Sequence, residues 1–158
     1  MRFTGGIARC GIIAERCARD VRDQESPVAL VPLVEYADAS PRVRAVFDAI
    51  RKARDTDYIN NFWKALANDP PTLERTWAAT RDTMAAGALD PLVKELVYLA
   101  VSMTNDCEYC VRSHHAAATT KGMTPQMLAE LVAVVALANS NNRLASGYRV
   151  DVDARYLP

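Results

Sequence analysis

From residue 40 onward, apolar residues recur along this chain at helical spacing. Val43, Val46, Phe47 and Ile50 fall at i, i+3, i+4 and i+7, a single stripe that follows Ser40 as N-cap and Pro41 at the first helical position. A second helix is expected over about 58–68, and a third from Asp69-Pro70 to near Gly87. "LDPLVKELVYLAVSM" repeats the Asp-Pro opening with Asp90 and Pro91. "DCEYCVRSHHAAATTKG" starts a fifth helix after Asn105-Asp106 and ends at Gly122, where a glycine suits a helix terminus. "TPQMLAELVAVVALAN" opens on Thr124-Pro125 and runs to Asn139, with a short last helix over 141–148. No stretch alternates apolar and polar residues as a half-buried strand would, and no solenoid repeat is present, so the fold class is all-α.

The segment 125–138 is apolar on nearly every side through Met127, Leu128, Leu131, Val132, Val134, Val135 and Leu137. A helix without a polar face must be covered all round. The cover comes either from a neighbouring subunit, making the protein a homo-oligomer that associates through apolar helices, or from a wholly internal position. Residues 1–27 read differently. They carry two early glycines and no sustained periodicity, and form an extension, loosely held, with a short helix near 12–22. Cys10 and Cys17, seven apart, would share a face of that helix and read as incidental thiols. Residues 28–158 form one helical domain, with its redox core at about 90–140.

Composition narrows the function. Half of the 158 residues are apolar and 24% are charged, which excludes wholesale disorder. Lys plus Arg equals Asp plus Glu at 19 each, so the chain has no general attraction for nucleic acid or an anionic membrane. No apolar run approaches the roughly 18–20 residues of a membrane helix. The first residues lack a clean secretory core with a cleavage site, and the protein is expected to be cytoplasmic, where a Cys-x-x-Cys is catalytic or metal-binding more often than structural.

That motif occurs in "NDCEYCVRSHH", which holds both histidines of the chain and two of its four cysteines. With Asp106 as N-cap and Cys107 at the first helical position, Cys107, Cys110 and His114 lie at i, i+3 and i+7 on one face. The free N–H groups and dipole of the helix start favour a thiolate, and in such settings a Cys pKa falls from about 8.5 to about 3.5–7.5. His114 lies one turn beyond Cys110 and can accept its proton. If the chain reverses at Thr104-Asn105, Glu95 and His114 are equally far from the pivot, at a common height of ~14 Å along two antiparallel helices. Glu95 is flanked by Leu96, Val97 and Leu99, where a carboxylate is costly to bury without a partner. Glu95, His114 and Cys110 therefore form a candidate proton relay for a nucleophilic thiol.

Other readings compete. Cys107, Cys110 and His114 could enter a zinc site, although no second ligand doublet exists and His115 points about 100° away from His114. A third reading is that small thiols simply pack in a core. Tyr109, between the cysteines, lines the entrance, donates a hydrogen bond or packs. His115 supports the site from outside or lies at the surface. Trp63, Trp77, Phe47 and Phe62 read as core. No phosphate-binding glycine loop, catalytic carboxylate pair or Ser-His-Asp pattern is present.

"DPLVKELVYLAVSMTNDCEYCVRSHHAAATTKGMT" resembles the core of the alkylhydroperoxidase D-like (AhpD-like) branch of the carboxymuconolactone decarboxylase family. The shared pattern is a Glu, eleven residues, Cys-x-x-Cys-x-x-x-His and a closing Gly, here Glu95, Cys107, Cys110, His114 and Gly122. The resemblance covers about 40–140 and leaves the first 27 residues outside. It implies an all-helical AhpD-like bundle that assembles as trimers or hexamers. It also implies a peroxiredoxin-type alkylhydroperoxidase whose dithiol reduces hydroperoxides and is restored by a lipoamide- or thioredoxin-like dithiol, with no other cofactor. The alternatives are a dithiol carrier serving a separate peroxidase, or a non-catalytic zinc-binding or structural module. The best-known members carry a His directly before the second Cys, where this chain has Tyr109. The decarboxylase members lack the cysteine pair, which argues against lactone decarboxylation here.

Overall fold

The computed structural model describes residues 29–157; the expected helix at 12–22, Cys10 and Cys17 lie outside them. The described residues are all-helical, with six α-helices: α1 Pro41–Arg54, α2 Asn61–Leu66, α3 Pro70–Met84, α4 Pro91–Thr104, α5 Glu108–Thr120 and α6 Pro125–Tyr148. They fall into two compact units whose boundary follows Arg75, within α3.

In the first unit the predicted stripe of α1 is the buried face: Val43, Val46, Phe47 and Ile50. Ser40 caps this helix, its side chain accepting the Val43 N–H, with Pro41 just inside. Tyr36 stacks on Phe47 with ring centroids 6.5 Å apart, and the Arg51 guanidinium lies 4.2 Å over the Tyr36 ring. Trp63 is buried as expected, but its neighbour Phe62 is 42% exposed and packs edge-on against Trp63 instead of entering the core. Helix α2 is short, and on so few turns adjacent residues cannot both face inward.

The second unit is built on α4, α5 and α6. Asp90 caps α4 by accepting the Leu92 N–H at 2.8 Å. Lys94 donates to the carbonyls of Thr83 and Ala85, satisfying acceptors at the end of α3. Leu99, Ala118 and Met123 form the core of this unit, with Leu92, Leu96, Met103, Val111, Met127, Leu128 and Leu131 packed against it. Thr124 caps α6 through the Met127 N–H. Trp77 is also buried.

Helix α6 departs from expectation in its length. It does not stop at Asn139 but continues to Tyr148, absorbing the separate helix expected over 141–148. Of the two covers considered for it, the wholly internal one is absent: within one chain none of its residues is buried, and Leu137 is 62% exposed. Val132, Val134, Leu144 and Tyr148 are exposed as well.

Candidate active site

Two antiparallel helices and the turn between them supply every sequence-predicted site residue. Helix α4 ends at Thr104, and the connection passes through Asp106 in the left-handed region at φ 55°, a conformation that a short polar side chain tolerates. The Cys107 N–H then reaches back to the Ser102 carbonyl at 3.0 Å, tying the start of α5 to the end of α4. Cys107, not Asp106, is therefore the N-cap of α5, one position later than the sequence reading placed it. Its sulfur accepts the Cys110 N–H at 3.3 Å, in the place a Ser or Asp oxygen would take. An N–H aimed at that sulfur favours its thiolate once the pair is reduced.

Cys107 and Cys110 are joined as a disulfide with their Cα atoms 5.3 Å apart. The two sulfurs thus meet across the first turn of α5, and both residues remain partly accessible.

One helical turn beyond Cys110, His114 meets the α4 carboxylate. Its Nδ1 lies 2.7 Å from Glu95 Oε2. Glu95 is 5% exposed and shares a face of α4 with buried Leu99 and Ser102, at i, i+4 and i+7. The levelled hairpin inferred from the sequence does bring these two side chains together. In a neutral imidazole whose Nδ1–H donates to the carboxylate, the second ring nitrogen is the acceptor.

Two participants were not foreseen. Lys121 places its Nζ 2.8 Å from the other carboxylate oxygen, Oε1. It lies seven residues after His114, so the same heptad arithmetic that selected His114 would have found it. Tyr98, three residues after Glu95, stacks its ring on the His114 imidazole with centroids 3.6 Å apart and planes 18° from parallel. It is 42% exposed, so the imidazole is sandwiched toward the surface and not sealed in.

The charge state of Glu95 follows from these contacts. Burial pushes its carboxyl upward, but the hydrogen bonds from His114 and Lys121, together with the Lys121 charge, outweigh that and hold it below the ordinary carboxylate value. It is an ionised acceptor at neutral pH.

The remaining candidates lie at the margin. Tyr109, between the two cysteines, is exposed. His115 is also exposed and lines a shallow apolar groove with Thr119, Met123, Thr124, Pro125 and Leu128, away from the Glu95 contact. Among the described residues no group of three or more His, Cys, Asp or Glu side chains is arranged to hold a metal ion. No helix among them is long and apolar enough to cross a membrane.

Comparison with known proteins agrees with this architecture. The sequence model of the Carboxymuconolactone decarboxylase family matches residues 70–151, just over half of the chain. The crystal structure of the alkylhydroperoxidase AhpD core from Rhodospirillum rubrum ATCC 11170 superimposes with a TM-score of 0.81 at 47% identity, covering 83% of this chain and 98% of that one. Curated proteins offer no significant match. The family match, the shared fold and the extent of that identity together establish that the chain belongs to the carboxymuconolactone decarboxylase family, with an AhpD-like fold.

Proposed function

We propose that the protein is a thiol-dependent peroxidase in which the Cys107–Cys110 dithiol reduces hydroperoxides, with His114 and Glu95 as its proton relay. One observation carries this reading: a cysteine pair closed across a helix start, followed one turn later by a histidine whose Nδ1 is bound to a buried, ionised carboxylate 2.7 Å away. A dithiol needs a base to make its thiolate and an acid to release the leaving alkoxide, and an imidazole oriented by a carboxylate can serve as both.

In the reduced protein, His114 takes the proton of Cys110 through its second ring nitrogen. The thiolate attacks the distal peroxide oxygen; the O–O bond breaks, the sulfur becomes a sulfenic acid and the alkoxide leaves as the alcohol with the proton held by His114. Cys107 then condenses with the sulfenic acid, forming the disulfide and releasing water. An external dithiol, lipoamide- or thioredoxin-like, restores the pair by exchange, entering at Cys107, whose sulfur lies at the open end of the helix. A cytoplasmic setting, with its reducing dithiols, would supply this last step. The exposed apolar residues of α6, with Val93, Val97 and Val101 at i, i+4 and i+8 on α4, exceed what scattered surface hydrophobics explain and support assembly into a trimer or hexamer.

Stopped-flow oxidation of the reduced protein by cumene hydroperoxide, followed by steady-state turnover with lipoamide or thioredoxin, tests the reading. The expected result is disulfide formation much faster than for a free thiol at the same pH, and turnover with at least one dithiol. Oxidation no faster than a free thiol would leave an electron carrier for another peroxidase.

A further inference from the structure

The carboxylate of Glu95 has two oxygens and both are engaged, yet the relay uses only one. Oε2 receives His114 and Oε1 receives Lys121. We propose that Lys121 is a positioning residue of this site, clamping the free oxygen of Glu95 so that the carboxylate stays aimed at His114 and lowering the pH at which His114 takes up a proton. The inference deepens the peroxidase reading and rests on it for its consequence in turnover, but the physics needs only the ion network.

The clamp is built into the end of α5. Gly122 sits at φ 97°, its N–H bonded to the Thr119 carbonyl, and the Met123 N–H returns to the Ala118 carbonyl at 2.9 Å. That is the Schellman arrangement, and here only glycine adopts the required backbone without strain. The Lys121 N–H is itself bonded to the Ala117 and Ala118 carbonyls, and Met123 is buried in the core. Lys121 therefore starts from a fixed backbone position two turns from His114, at the helix end where a cation is favoured. A planar carboxylate held at both oxygens by groups on one rigid helix cannot rotate away from either.

The electrostatic consequence has a definite sign. An imidazolium beside a lone carboxylate is stabilised; beside a carboxylate already paired with an ammonium it is stabilised less. Lys121 thereby keeps His114 available as a neutral acceptor for a thiol proton. The other groups around the ring do not supply this effect. From α4, Tyr98 contributes a stacked aromatic ring. On α5, Cys107 and Cys110 carry no charge as a disulfide, and His115 is exposed beside the groove. From α6, the residues packed on the shared core are Met127, Leu128 and Leu131, none of which titrates.

The experiment is a histidine ring titration by NMR on the disulfide form of the full chain. Because the protein has only two histidines, a His115→Gln background leaves the His114 signal alone. In that background Lys121→Met should raise the His114 midpoint by about one pH unit, the order expected for losing a neighbouring unit charge in a partly solvated site. Lys121→Arg should bring it back toward the parent value, and Lys121→Met should have a smaller effect once Glu95 is also changed to Gln, because nothing then holds the half-exposed ammonium beside the ring. An unchanged midpoint in Lys121→Met, a failure of Arg to restore it, a shift of undiminished size without Glu95, or a His114 signal that does not titrate would each overturn the proposal. The readout involves no peroxide, so absence of peroxidase activity would refute the functional reading while leaving this result to stand or fall by itself.

Discussion

Replacing Glu95 with Gln strikes the network at its centre while keeping its shape. The carboxylate accepts from two donors, His114 Nδ1 at 2.7 Å and Lys121 Nζ at 2.8 Å. The amide offers one oxygen and one NH₂. If its oxygen stays with Lys121, its NH₂ faces His114, and the ring must move its proton to the other nitrogen to accept. The reverse orientation points an NH₂ at an ammonium. Hydrogen bonds to charged groups contribute about 1.5–3 kcal/mol each. The Lys121 side chain is 38% exposed, so its share is screened toward the surface value of about 0–1 kcal/mol. The variant should therefore be less stable by about 2 kcal/mol at neutral pH. That deficit carries a pH signature. The folded-state carboxyl lies below its ordinary value of 4.5, so the wild-type advantage is complete above about that pH and is lost as pH falls through the folded value. The gap between the two proteins should narrow on acidification below pH ~4.5, where wild-type Glu95 also becomes neutral. Urea unfolding of both disulfide forms, followed by the fluorescence of buried Trp63 and Trp77 at one fixed protein concentration, measures it. In the same variant, peroxide turnover should fall by roughly 10²–10⁴, because the nitrogen meant to accept the thiol proton now carries one. No gap at neutral pH, or a gap of constant size across the acid range, would refute the account of Glu95 as an ionised partner.

Two further outcomes are expected. Leu137→Glu places a charge on the exposed apolar surface of α6 and should yield a lighter species in sedimentation velocity with an unchanged helical circular dichroism spectrum; an unaltered sedimentation coefficient would remove this surface from the assembly. Asp90→Ala deletes the cap that accepts the Leu92 N–H and should cost about 1 kcal/mol in urea unfolding, with Asp90→Asn costing less; equal losses would show that charge at the helix start, and not the cap, is what matters.

Much of the fold could be read from local chemistry, because helix starts are local events. Ser40-Pro41, Asp90-Pro91 and Thr124-Pro125 each combine an N-cap acceptor with a proline at the first position, and each marks a helix start in the structure. The Glu95–His114 contact was legible as well, since antiparallel helices leaving a tight turn have a register that can be counted. Three features lay beyond those rules. Cys107 takes the cap itself because Asp106 turns into the left-handed region, a choice set by the Cys107-to-Ser102 backbone bond and not by residue preference. The run Asn139-Ser140-Asn141-Asn142 suggests a break, but it holds neither Gly nor Pro. The Asn139 side chain bonds the Val135 carbonyl and Thr104 Oγ1, so the helix continues at a cost of only tenths of a kcal/mol per residue. Lys121 and Tyr98 were overlooked because a long cation and an aromatic on a helix are ordinarily surface or packing residues, and only the carboxylate between them gives them meaning.

The short tether through Asn105 and Asp106 has a consequence for how such a molecule can change. Glu95, His114, the sulfur pair and Lys121 all lie between positions 90 and 122, on two helices joined by a two-residue turn. With every interacting group on one contiguous hairpin, changes in the flanking helices reach its alignment only through the core that α6 shares with it, so sequence outside that shared core has room to diverge.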